Sequence, residues 1–432
     1  MDNIRQIHHY LHNRLIDIML PIIVGLVCGF AAVIIKTIIP LVFSWVMMLV
    51  SLSGRLGFLT ISAFLLVGAD ISVILIAKMK ATSGVGLDIS IRNYHRSAGL
   101  MPTSFVPLKF LATLFTLGFG GSGGLVGPTS SIGHGIASYF SKAFRLSKDN
   151  SKMLALCGIS ACVSALLHTP FGATIFGLEL CYIDGLIYSD LIPVLASSIS
   201  AYIVSSRIIM MLPLGYLFHK PYLSATMNSE SAFPWHLNYL AYCVIAALVT
   251  AVLGIAFIRS FQTLQRFNRK KLQTSYGPIV GALTIGLVSV IFFRHRLPDF
   301  LGEPSRLVEN CIAQGYPICI AIALLIGRWV NTLLTVGFGG SGGLFSPTLL
   351  LGGLAGNIVA LLLGVSETKV LVATGMTAAL SGVLNVPIAA IIIIIEIFGV
   401  DYIIPAAIGS SIAFMIARRW VIYPHVKHIG SE

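Results

Sequence analysis

The sequence predicts an all-α polytopic membrane protein with an internal repeat and many broken or re-entrant helices. Three observations carry that expectation. Of its 432 residues, 56% are hydrophobic and only 10% are charged, far outside the range of soluble globular domains. The segment GFGGSGGLVGPT, from Gly118 to Thr129, recurs almost unchanged as GFGGSGGLFSPT, from Gly337 to Thr348. A second pair follows the first: HTPFGATIFGLEL, from His168 to Leu180, is echoed by NVPIAAIIIIIEI, from Asn385 to Ile397, with Glu179 matching Glu396.

Apolar segments long enough to span or nearly span a bilayer run through Ile18–Trp45, Phe58–Ala77, Ile187–Val204, Tyr239–Ile258 and Ile318–Val336. Val370–Leu384 and Val386–Ile395 are shorter, separated by Asn385 and flanked by Pro387, and fit half-crossing helices that meet inside the membrane. The whole chain, 1–432, reads as one transmembrane domain of two homologous halves, approximately 17–258 and 272–424, meeting near the basic segment Arg259–Lys271. If an odd number of crossings separates the copies, the halves are inverted. No short apolar run before a small-residue cleavage site marks a signal peptide, and the few residues after Tyr423 leave no room for a cytosolic regulatory domain.

The formal net charge of +12 is spread over termini and loops, at Arg5 and Arg14, at Arg266, Arg269, Lys270 and Lys271, and at Arg418 and Arg419. That is the positive-inside bias of a membrane protein rather than a nucleic-acid surface, and it places both termini in the cytoplasm. The basic loop Phe144–Lys152 keeps the topology in between open on charge alone. Seven cysteines lie in or beside apolar stretches without paired spacing and read as small core residues. His8, His9 and His12 sit in a polar segment and read as solvated, not as metal ligands. No acid pair, nucleophile-base grouping or His/Cys cluster points to an enzyme or to a cofactor.

The glycine loops leave backbone N–H groups bare, and a proline in the first helical turn lacks the N–H that would be orphaned there. A helix start carries about half a positive charge. Irregular backbone at membrane depth persists only where protein buries it or where it lines a wet cavity, so the natural occupant is an anion held by amide donors. A phosphate-binding loop needs Gly-Lys-Ser/Thr after its glycines, and neither copy has it.

At these motifs the chain resembles the CLC family of chloride channels and chloride/proton exchangers, over nearly its whole length. The family's three signature segments, approximately GSGIP, GREGP and GxFxP, match TSGVG at Thr82–Gly86, GLVGP at Gly124–Pro128 and GLFSP at Gly343–Pro347, and Tyr423 in WVIYP matches a tyrosine near the end of the membrane domain. The resemblance implies a homodimer in a cell membrane, in bacteria the inner one, with one pore per subunit built from inverted halves of about eighteen helices in all. It implies that chloride and similar monovalent anions are held by the hydroxyls of Ser83 and Tyr423 and by the amides of Leu344 and Phe345. Ser83 also reads as a helix N-cap, which is compatible with that role. Lys109 aligns with a lysine buried near the pore; a lone buried ammonium needs compensation, and both anion attraction and snorkelling to an interface would supply it.

The departures from the family decide the expected mechanism. In the outer site, Leu125, Val126 and Gly127, the gating glutamate is replaced by Val126 and the arginine before it by Leu125. A carboxylate there would repel a chloride about 4 Å away by roughly 4 kcal/mol at an effective dielectric near 20. The inner proton-accepting glutamate of many exchangers aligns with Leu180, beside Glu179. Coupling needs a group whose protonation depends on anion occupancy, so the loss of both implies passive anion transport. The alternatives are an exchanger that uses other acids, Glu179 first among them, and a non-conducting homologue. Glu179 reads more simply as a helix-terminal acid that binds neighbouring backbone or a basic side chain. Ser83 goes with chloride preference in the family, whereas Gly86 and Thr82 depart from the first motif.

Overall fold

The computed structural model describes residues 18–79, 86–183, 185–211, 237–271, 279–286 and 297–428. Ser83, Thr82, Arg5, Arg14, His8, His9 and His12 lie outside the described residues. The helices, in chain order, are α1 (Leu20–Leu52), α2 (Gly57–Lys78), α3 (Gly86–Arg96), α4 (Phe105–Leu117), α5 (Val126–Ala143), α6 (Lys148–Leu167), α7 (Pro170–Glu179) and α8 (Leu191–Met211). They continue as α9 (Leu237–Lys271), α10 (Leu297–Phe300), α11 (Ser305–Ala313), α12 (Ile318–Thr332), α13 (Phe345–Leu362), α14 (Thr368–Leu384), α15 (Pro387–Phe398) and α16 (Ile403–Ala417). The basic segment Arg259–Lys271 is helical, forming the last turns of α9.

Among the described residues, 8 helices are long and apolar enough to cross a membrane. Three of them, Lys148–Leu167, Phe345–Leu362 and Val400–Ala417, escape the reading of long apolar runs. The first two windows are 89% and 83% buried inside the protein, so they face other helices rather than lipid and tolerate Ser, Thr, Cys and Gly. The third is interrupted by Asp401, Pro405 and Gly409. Spans such as Leu59–Lys78, only 28% buried, carry the lipid-facing apolar surface.

Small residues set the central packing. A Cβ on Gly133 of α5 would collide with the carbonyl oxygen of Gly158 on α6, and one on Gly158 with the carbonyl of Gly133. The repeat reproduces the contact at Gly352 of α13 and Gly375 of α14. Helices α6 and α14 both end in a left-handed residue, His168 at φ 59° and Asn385 at φ 58°, which lets the chain turn sharply into α7 and α15 through Pro170 and Pro387. The Glu179 carboxylate at the end of α7 accepts from the N–H groups of Ile388 and Ala389 at 3.1 and 2.9 Å. The Glu396 carboxylate of α15 accepts from Phe171 and Gly172 at 3.0 and 2.7 Å. Each acid thus caps the helix start of the opposite half. This two-fold exchange, with the antiparallel pairing described next, makes the molecule an inverted internal repeat.

Candidate anion-binding site

The two glycine loops meet at the centre. Gly124 donates its N–H to the carbonyl of Gly343 and Gly343 donates to Gly124, both at 2.8 Å, in an isolated antiparallel bridge. The approach is close enough that a Cβ on Gly127 would lie 2.9 Å from Gly343 Cα, and one on Gly86 would lie 2.8 Å from the Gly127 carbonyl carbon. The end of the first motif and the starts of α5 and α13 therefore share one small volume. Gly86 stands where the family has proline, and the contact with Gly127 gives a physical reason: backbone fills the space a ring would occupy.

Hydroxyls fix the loops across the repeat. Ser122 N–H donates to Thr335 Oγ1 at 2.9 Å, and Ser341 N–H donates to Thr116 Oγ1 at 3.1 Å. Ser341 Oγ pairs with Thr113 Oγ1 at 2.9 Å and Ser122 Oγ with Thr332 Oγ1 at 3.3 Å. Each glycine loop is thus anchored by the helix that leads into the other one.

Leu125 and Leu344 are the N-caps of α5 and α13, and Val126 and Phe345 are the first helical residues. The first intrahelical bonds are Thr129 N–H to Leu125 O at 3.0 Å and Thr348 N–H to Leu344 O at 2.9 Å. The amides at the start of each helix have no intrahelical carbonyl one turn earlier, which leaves them as donors. Leu344 and Phe345 are fully buried, Leu125, Val126 and Tyr423 nearly so. The Phe345 ring packs edge-on against Phe176, with centroids 5.5 Å apart.

Tyr423 comes in from the segment after α16. Helix α9 positions it: Gln262 Nε2 donates to the Val421 carbonyl at 2.8 Å, and the Arg259 guanidinium lies 4.0 Å above the Trp420 ring. The Tyr423 hydroxyl is buried and has no hydrogen-bond partner among the described residues. A buried hydroxyl without an acceptor is suited to an anion that supplies one.

Lys109 lies in α4 and is 1% exposed, and its backbone carbonyl accepts from Thr113 Oγ1 at 2.8 Å. Its place in the second repeat is held by Arg328, which the sequence reading missed although FVPLKFLAT and LLIGRWVNT align around the two cations. Arg328 donates to the carbonyls of Asp299, Leu301 and Gly302 at 2.7, 2.9 and 2.7 Å, and to Ser122 Oγ at 3.3 Å. Arg328 is thus a structural latch. Leu180, the C-cap of α7, is buried. The chain just beyond it forms β1 (Tyr182–Ile183), paired in parallel with β2 (Lys427–His428), which ties this segment to the Tyr423 tail.

Paired broken helices whose N-termini meet inside a multi-pass bundle define a membrane protein that handles ions. A family model described as voltage gated chloride channel matches residues 64–418, and the chain belongs to that family, the CLC family, whose members are transporters and channels of anions rather than enzymes. It is 26% identical over 351 residues to a chloride/fluoride channel protein of Pseudomonas syringae pv. tomato, covering 80% of this chain and 73% of that one. It is also 26% identical over 341 residues to an H(+)/Cl(-) exchange transporter, ClcA, of Vibrio campbellii, covering 75% and 69%. In fold it is similar to a CLC-type fluoride/proton antiporter, with a TM-score of 0.82 and 22% identity over 97% of this chain and 99% of the other. A slow cyanobacterial Cl-/H+ antiporter gives a TM-score of 0.78 with 20% identity over 94% of each.

Proposed function

We propose that this protein carries chloride and similar monovalent anions passively across a cell membrane, uncoupled from protons. The observation that supports this most is the apolar Val126 at the first turn of α5, where it can neither mimic an anion nor take up a proton. Leu180 is equally unable to titrate. Glu179, the acid next to Leu180 in sequence, has both carboxylate oxygens engaged by the start of α15. The proposed donors are the Ser83 and Tyr423 hydroxyls and the amides of Leu344 and Phe345. All are neutral, which suits an ion that must be desolvated and then released. Lys109 would raise the local anion concentration. The names of relatives that carry chloride or fluoride support an anion, and Ser83 favours chloride. We place both termini in the cytoplasm and expect a homodimer in the membrane, in a bacterium the inner one.

The test is reconstitution in chloride-loaded liposomes, with chloride efflux and proton movement recorded together, with and without valinomycin. Fast valinomycin-dependent efflux without proton transport is the expected result. Chloride-driven uphill proton movement would overturn the uncoupled reading in favour of an exchanger using other acids. Absence of either flux would mark a non-conducting relative.

A further inference from the structure

A lysine midway along a membrane-spanning helix needs a reason, because charge at that depth is costly and is kept where it pairs or serves function. Lys36 stands at the middle of α1, and its Nζ donates to the Leu166 carbonyl at 3.1 Å. Leu166 lies in the last turn of α6, whose final carbonyls lack intrahelical donors and favour a cation. Two acids from the other half of the chain, Glu303 and Glu309, also act electrostatically on Lys36.

Glu303 sits in the turn that leads into α11. Its carboxylate accepts from Ser305 N–H at 3.0 Å and from Ser305 Oγ at 2.6 Å, and both Arg328 and Lys36 act on it electrostatically. The same turn, one and two residues earlier, gives the Gly302 and Leu301 carbonyls to Arg328, whose Nη1 also reaches Ser122 Oγ at 3.3 Å. Gly302 N–H points to the Gly120 carbonyl at 3.5 Å. A line of charges and polar contacts thus runs from α1, through the turn 301–305, to the first glycine loop.

We propose that Lys36 is a positioning residue for anion binding: by balancing Glu303, it leaves Arg328 to hold Ser122 and the first glycine loop in place. Lys36 acts through Arg328 and not through its own charge on the anion. Of the two cations that act on Glu303, Arg328 is the one that remains when Lys36 is removed. A carboxylate shielded from water and short of a counter-charge is strongly unfavourable. It therefore draws the guanidinium away from the carbonyls of the turn and from Ser122, and the loop that meets Gly343 at the candidate site loses a brace. Coupling of this kind through a contiguous network changes affinity without contact with the ligand. The inference rests on the anion site proposed above and adds to it a residue of α1 that no motif carries.

Calorimetric chloride affinity of the purified protein tests this role, because it reads binding whether or not the protein conducts. Lys36→Met is expected to weaken chloride binding about three- to tenfold. The double variant Lys36→Met/Glu303→Gln should return to near the native affinity, since no carboxylate is left to divert Arg328. An ammonium that attracted the anion directly would instead leave the double variant as weak as Lys36→Met. Ser122→Ala removes the far end of the line without stranding a charge and should weaken binding by a similar factor. It and the charge-balanced double variant keep the test decisive if Lys36→Met fails to fold. Native affinity in Lys36→Met or in Ser122→Ala, or weak binding that persists in the double variant, would overturn the positioning role and leave the anion site standing. Proton-coupled flux in liposomes alongside the expected affinities would do the reverse for uncoupled transport. No chloride binding by the native chain would overturn both.

Discussion

At residue scale, the proposed uncoupled transport turns on Val126, the apolar first residue of α5. Val126→Glu is expected to suppress chloride efflux at neutral pH, with a repulsion of up to about 4 kcal/mol, and acid should restore the flux as the new carboxyl protonates. Efflux from liposomes across a pH series checks this; equal flux at all pH values would mean that Val126 does not face the anion. Tyr423, Leu344 and Phe345 could be named from the sequence as candidates because short motifs carry them. The approach of His425 Nε2 to Asp88 Oδ2 at 3.9 Å could not, since neither residue lies in a motif and only the fold brings positions 88 and 425 together. Arg328 was legible in principle, as the repeat partner of Lys109, but alignment gives the pairing without saying which cation is satisfied by carbonyls.

At the scale of elements, the exchange of acids between α7 and α15 separates structural carboxylates from transport chemistry. Glu179 and Glu396 each satisfy two first-turn amides of the opposite half, and a charged acceptor at a helix start contributes about 1–3 kcal/mol. Glu179→Gln, which keeps one acceptor oxygen, is therefore expected to lower the thermal stability of the purified protein while leaving flux and its pH response unchanged. A variant of normal stability with altered pH response would instead put Glu179 in a proton path. The repeated acid was visible in the sequence; the crossed pairing was not, because an identical pattern would arise if each acid capped a helix of its own half. The spans α6 and α13 were hidden for a related reason. Enclosed by other helices, they satisfy the bilayer by position rather than by composition, and hydropathy reads composition alone.

For the whole molecule, the inverted repeat was legible from the duplicated glycine loops, and their meeting point followed from it. The geometry of that meeting, an antiparallel bridge braced by serine and threonine hydroxyls, required the fold. Because the site draws on both halves of one chain, each subunit of the proposed homodimer should hold a complete pathway. Single-molecule photobleaching of labelled protein in liposomes is expected to show two steps per particle. A particle that joins one native subunit to one Val126→Glu subunit should retain about half the neutral-pH flux of the native pair. Complete loss of flux in the mixed particle would mean that the pathway is shared between subunits.

The crossed anchoring also constrains how the protein is made. Thr335 lies 213 residues beyond Ser122, so at five to twenty residues per second the first glycine loop exists for roughly ten to forty seconds before its anchor has been synthesised. During that interval its bare amides sit in a nascent chain already being delivered to the bilayer. The first half must then be held by the insertion machinery, or remain wet, until the second half arrives, which makes the interval after the first loop emerges the most vulnerable stage of its biogenesis.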